Sequence, residues 1–325
     1  MPLLNHSSYR PPTLLASGHL QTILPNYLAH GPNVSYTRER LPTPDGDHLA
    51  LDWASVNSDR LVVVNHGLCG HSRRHYALHL ADAFNRQGWD CLVWNYRGTS
   101  EDPEPHEQPA YTTNNSSDEL ALVIRHAIDS RHYRKVGIAG FSMGGNLGLL
   151  YLGRHADQLP EPVAGAALFC ATIDLTASCH AIHRFPNRIY ERHFLSRLIR
   201  MAAERHRQFP GQLPAPAPSH IHSFQDFDDA ITAPACGFRN ALDYYRTASS
   251  AAYIHQLNRP ALLVQPLNDP FLDGLCYPTQ DARDSQCLFL ETPRSGGHCG
   301  FITLHDTWWP ARRACEFLAP LLNGD

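Results

Sequence analysis

Val136-Gly137-Ile138-Ala139-Gly140-Phe141-Ser142-Met143-Gly144-Gly145-Asn146-Leu147 is the stretch on which the fold turns. A β-rich run, Val136 to Phe141, leads through Gly140-x-Ser142-x-Gly144 into an apolar, helix-compatible run from Met143 to about His155, so the serine stands at a sharp strand-to-helix turn. Such a turn strains the backbone and brings neighbouring elements close, which the small residues Gly140, Gly144 and Gly145 permit. Ser142 then projects its hydroxyl outward, and the helix start aims free N–H groups and its positive dipole end at any oxyanion formed there. A glycine-rich turn with an incidental serine is the plainer alternative, and the residues further along the chain argue against it.

Short apolar runs alternate with longer amphipathic segments on both sides of this turn, the pattern of a parallel sheet covered by helices on both faces. Upstream, strands are expected at Val34–Arg40, His48–Ala54 and Leu61–Asn65, the last a Leu-Val-Val-Val run suited to burial on both faces. A helix over Ser72–Gln87, a strand over Cys91–Tyr96 and a helix over Ser116–Ser130 follow, with Ser116 and Glu119 spaced as a capping box. Downstream, the strand Val163–Ala171 continues the pattern, which breaks between Asp174 and Arg246. That interval is too long for a simple connection and reads as a helical cap insertion, 174–246, in a single domain of 1–325. Strands at Ala261–Gln265 and Cys287–Leu290 and a helix from about Thr307 complete an α/β fold with a mostly parallel central sheet.

A serine hydroxyl is a weak nucleophile at neutral pH, so a base must take its proton and a carboxylate must hold that base in one tautomer. With a serine at such a turn, the α/β-hydrolase fold expects the order serine, acid, histidine, each in a loop past a late strand. Asp269 follows the Ala261–Gln265 strand, with Asp273 as its alternative, and His298 follows Cys287–Leu290 behind Gly296 and Gly297. The backbone N–H groups of Leu68 and Met143 are the candidate oxyanion donors, with His66 and Gly67 shaping the loop.

Among 21 histidines, His71, His75 and His79 recur at helical spacing, but no carboxylate or cysteine completes a metal set, so they read as a polar helix face. No metal and no cofactor is expected. Cys69 and Cys299 flank the site and read as small packing residues, and Trp308-Trp309 as core or helix-start packing. Nine scattered cysteines without a C-x-x-C pair, and Met1 to Arg10 without a basic and apolar leader, point to a reduced, cytoplasmic protein. A hydrophobic fraction of 43% with 18% charged residues describes a globular chain, and a net charge of −4 without a basic block argues against nucleic-acid binding. No run approaches the ~20 apolar residues of a membrane span.

Together the segments resemble the YheT-like branch of the α/β-hydrolases. The resemblance rests on Ser17-Gly18-His19-Leu20-Gln21-Thr22, His66-Gly67-Leu68 with His75-Tyr76, Asn95-Tyr96-Arg97-Gly98, Gly140 to Asn146, Phe227-Asp228-Asp229, Ala233-Pro234, Gly237-Phe238, Asp243-Tyr244-Tyr245, Asn268-Asp269-Pro270-Phe271 and Gly296 to Phe301. It implies Ser142, Asp269 and His298 as a triad acting on carboxylic esters; a small-molecule ester of short to medium acyl chain is the expected partner. An acyltransferase using the same groups, and a non-catalytic ligand-binding or scaffold protein, are the alternatives. An intact set of catalytic groups disfavours the latter.

Overall fold

The computed structural model describes residues 3–4, 6–28, 30–97, 99, 105–303 and 308–324. Met1, Pro2, Asn5, Gly98 and Thr307, which the sequence reading touched, lie outside the described residues. In chain order the first elements are β1 (Leu3–Leu4), α1 (Gly18–Leu28), β2 (Thr37–Pro42), β3 (His48–Ala54), β4 (Arg60–Asn65), α2 (His75–Arg86), β5 (Asp90–Asn95) and α3 (Ser117–Arg131). Then come β6 (Lys135–Phe141), α4 (Met143–Arg154) and β7 (Val163–Phe169). Helices α5 (Leu175–His183), α6 (Arg188–Gln208), α7 (Phe224–Phe227), α8 (Ala233–Ala235) and α9 (Ala241–Ala248) separate β7 from β8 (Ala261–Val264). The chain closes with α10 (Thr279–Asp284), β9 (Leu288–Glu291) and α11 (Trp309–Asn323).

The nine strands form one sheet in the order β1-β9-β8-β7-β6-β4-β5-β3-β2. All pairs are parallel except β2 with β3 and β3 with β5. Central strands such as β7 and β8 carry no polar side chain because both faces are covered. Leu61 and Val63 of β4, Ile138 of β6 and Leu263 of β8 pack with α3 and α4 on one face. Val62, Val64, Phe141 and Val264 meet α2 and α11 on the other. Among the described residues, no helix is long and apolar enough to cross a membrane.

Several expectations shift. The capping box at Ser116 does not form: the Ser116 side chain makes no cap hydrogen bond. Glu119 instead accepts from Arg97 Nε at 2.7 Å and Thr112 Oγ1 at 2.7 Å, since a buried guanidinium competes for the carboxylate more strongly than a backbone N–H does. The histidine stripe also dissolves. His71 precedes α2, and the rings of His75 and His79 pack against Trp308 at 5.9 and 5.7 Å, so they serve as aromatic contacts and not as a polar face. Strand β7 stops at Phe169, two residues early, because Cys170 turns to φ 50°. Helix α1 was not expected, since Pro25 inside it interrupts the helical pattern.

Candidate active site

Between β6 and α4 the backbone at Ser142 takes φ 55° and ψ −121°, a conformation that costs a non-glycine residue of order 1–3 kcal/mol. The turn is held from both sides. The Ser142 N–H donates to the Phe169 carbonyl at 3.0 Å and the Asn146 N–H to the Ser142 carbonyl at 3.0 Å. Gly144 is required here because a Cβ would collide with the Asn65 carbonyl at the end of β4.

The loop after β9 brings His298 to this serine. His298 Nε2 lies 2.9 Å from Ser142 Oγ, and Nδ1 lies 2.9 and 3.1 Å from Asp269 Oδ2 and Oδ1. Asp269, in the loop after β8, is 5% exposed, and His298 is 8% exposed. The Phe271 N–H donates to Asp269 Oδ1 at 2.8 Å, and the Phe271 ring stacks on the imidazole with centroids 4.1 Å apart. Burial opposes the charged form of His298, but the Asp269 carboxylate beside it prevails and holds the ring above its ordinary range. Asp273 is drawn away to Arg184, 2.6 Å distant. The three residues read from the sequence therefore meet, 127 and 29 positions apart along the chain, while the alternative acid does not join them.

Helix α1 supports this loop from behind. The His298 N–H donates to Thr22 Oγ1 at 2.9 Å, and the Thr22 hydroxyl donates to the Gly18 carbonyl at 2.7 Å. The Gly297 N–H donates to Asn268 Oδ1 at 3.0 Å, while Asn268 Nδ2 donates to the Ala16 carbonyl at 2.8 Å. Gly297 has φ 58°, and a Cβ there would lie 2.6 Å from the Gly18 carbonyl. Beyond the resemblance, nothing local in the Ser17 to Thr22 segment marks it as the partner of a loop 276 residues away. Thr22→Val keeps the shape but strands the His298 N–H, a loss of about 1–3 kcal/mol. The expected result is a kcat for a p-nitrophenyl ester about 10-fold or more below wild type with KM little changed, read by steady-state kinetics on folded protein.

Beside Ser142 runs the loop after β4. The Gly67 N–H donates to Tyr76 Oη at 3.0 Å, the Tyr96 hydroxyl donates to the His66 carbonyl at 2.6 Å, and a Cβ on Gly67 would lie 3.5 Å from the Ser142 Cβ. Among the described residues, neither the Leu68 nor the Met143 N–H donates to another protein group. Burial drives His66 down to about 3, so it is neutral and structural. Burial also pushes the Cys69 thiol up to about 11, in keeping with a packing residue. Cys299 departs from that reading: against burial, the Cys170 hydrogen bond and the His298 charge bring its thiol down to about 6.

Two cavities open on Ser142. The first, about 170 Å³, has walls such as Leu175, Leu198, Phe227 and Ile231. The second, about 440 Å³, includes Arg74, His193 and Arg197 with Cys299 and His298. Asp228 lines the first and was given no role from the sequence. It starts a π-helical turn, Asp228–Thr232, and accepts from Thr232 Oγ1 at 2.5 Å and Tyr245 Oη at 2.7 Å. Two groups among the described residues have metal-ligand types close together. In Asp47, His48 and His106 the carboxylate is already engaged by Arg97 at 2.9 Å; the other is Cys170, His298 and Cys299.

Residues 60–303 match the family model described as alpha/beta hydrolase fold. Over 314 residues the chain is 29% identical to the Escherichia coli (strain K12) protein named "Putative esterase YheT", with 94% of this chain and 91% of that protein covered. It is 26% identical over 321 residues to "Phospholipase ABHD3" of Mus musculus, with 96% of this chain and 76% of that protein covered. The Pyrococcus furiosus esterase Pf2001 shares the fold, with a TM-score of 0.59 at 14% identity over 91% of this chain and 99% of that one.

Proposed function

We propose that this chain, which belongs to the alpha/beta hydrolase fold family, is a serine hydrolase that cleaves carboxylic esters through an acyl-enzyme. The observation that carries the reading is the single imidazole joining Ser142 Oγ at 2.9 Å to Asp269 at 2.9 Å beneath a strained turn. His298 Nε2 takes the Ser142 proton as the hydroxyl attacks the carbonyl, and Asp269 steadies the imidazolium that results. The Leu68 and Met143 N–H groups receive the oxyanion, and His298 returns the proton to the departing alcohol. Water then repeats the sequence on the acyl-enzyme.

In this scheme the apolar cavity takes the acyl chain, short to medium in length, and the segment 174–246 acts as a cap that supplies its wall through Leu175, Leu198 and Phe227. The leaving alcohol occupies the second cavity. Its basic lining by Arg74 and Arg197 favours an alcohol bearing an anionic group, as in a phospholipid, the substrate class in the name of the mouse relative.

Hydrolysis of p-nitrophenyl esters of graded chain length, with intact-mass detection of the acyl adduct, tests this directly. Free acid should dominate even when alcohol or thiol acceptors are added; acyl transfer to the acceptor would instead identify an acyltransferase. Failure of every ester to turn over would favour a binding protein.

Asp228 provides a further check. Burial pushes its carboxyl up to about 6, even though Thr232 and Tyr245 hydrogen-bond it. As pH rises through that value the apolar cavity acquires a charge that an acyl chain must face. For the longest chain accepted, KM should rise as pH goes from about 5.5 to 8 in wild type, and Asp228→Asn should flatten that rise without changing kcat for an acetyl ester.

A further inference from the structure

Beneath the His298 loop two cysteines come together that the proposed chemistry does not use. Cys170 follows β7 with φ 50° and Cys299 follows His298 with φ 62°. The Cys299 N–H donates to Cys170 Sγ at 3.2 Å. One ligand atom from each of Cys170, His298 and Cys299 lies within 4.8 Å of the others. From this geometry we propose that Cys170, Cys299 and His298 form a binding site for a soft divalent cation of the zinc class, whose occupancy switches hydrolysis off.

The ligand chemistry fits. Zinc takes thiolate at about 2.3 Å and imidazole nitrogen at about 2.0–2.1 Å, which places the ligand atoms of a tetrahedral site roughly 3.5–4 Å apart. Three donors within 4.8 Å reach that spacing by side-chain movements of about an ångström. The fourth position can be filled by water from the second cavity, which His298 and Cys299 line. A metal takes cysteine as the thiolate, so binding releases thiol protons to solvent. Coupling to activity follows from the imidazole, since one ring nitrogen faces Ser142 and the other Asp269. A metal on either nitrogen displaces one of those partners.

The inhibitory part rests on His298 being the base; the binding part does not, and the two are read separately. The full chain, reduced with a phosphine, is titrated with Cd2+ while cadmium–thiolate absorption is followed in the ultraviolet, and with Zn2+ during ester hydrolysis. The expected result is one tight Cd2+ per chain, with the thiolate absorption weakened in Cys170→Ser, Cys299→Ser and His298→Ala. The half-inhibitory Zn2+ concentration should rise at least about tenfold in Cys299→Ser, each protein being compared with its own metal-free rate, and chelation should restore activity. Unchanged cadmium absorption in Cys299→Ser and His298→Ala would overturn the site. Tight binding at the site with full ester turnover would overturn the switch, and if no ester is turned over at all the cadmium titration still decides the site.

Discussion

Ser142→Ala is expected to lower kcat for a p-nitrophenyl ester by about 10⁶-fold, the scale on which removing an activated serine acts when its base and orienter stay in place. The protein should keep its fold. The bonds that shape the turn at residue 142 come from the backbone: its N–H to the Phe169 carbonyl and its carbonyl to the Asn146 N–H. Alanine preserves both and adds no atom, so the thermal midpoint should stay close to that of wild type. A loss of activity accompanied by unfolding would mean that the serine is structural. A loss of only a few-fold, with the fold intact, would mean that another group attacks the substrate.

The second large effect is predicted for Asp269→Asn, at about 10⁴-fold in kcat. Its direction follows from the hydrogen bonds. Oδ1 accepts from the Phe271 N–H at 2.8 Å, so the amide oxygen of asparagine keeps that position and the NH2 group takes the place of Oδ2, 2.9 Å from His298 Nδ1. A donor facing Nδ1 forces the proton to Nε2, where it points at Ser142 Oγ and can no longer accept the serine proton. The pH profile should move as well. Catalysis needs neutral His298, and Asp269 holds that ring above its ordinary range against burial. In wild type, kcat/KM should therefore rise with pH through a midpoint above the ordinary histidine value of about 6.5, and in Asp269→Asn the residual rate should rise through a lower one. Asp273→Asn, whose partner is Arg184, should leave both rate and profile within about twofold.

The sheet was legible because strands buried on both faces are written as unbroken apolar runs, such as Leu61 to Val64, and because helices at a regular beat fill the intervals. Ser142, Asp269 and His298 were legible for a related reason: each stands in a loop directly past such a strand, so local pattern and chain order suffice. What escaped depends on contacts remote in sequence. Thr22 gains its place only by receiving the His298 N–H, and Asp228 only by facing a cavity assembled from several helices. Cys170 and Cys299 are 129 residues apart and gain significance from two positive-φ turns that no composition announces. The capping box failed in the same way, because Arg97 reached Glu119 from another element.

Activation of Ser142 by His298 can be read from fluorophosphonate labelling with peptide mapping on wild type, Ser142→Ala and His298→Ala. One adduct is expected, on Ser142, absent from Ser142→Ala and strongly slowed in His298→Ala. A folded wild-type protein that takes up no label, or an adduct that persists on another residue in Ser142→Ala, would contradict it.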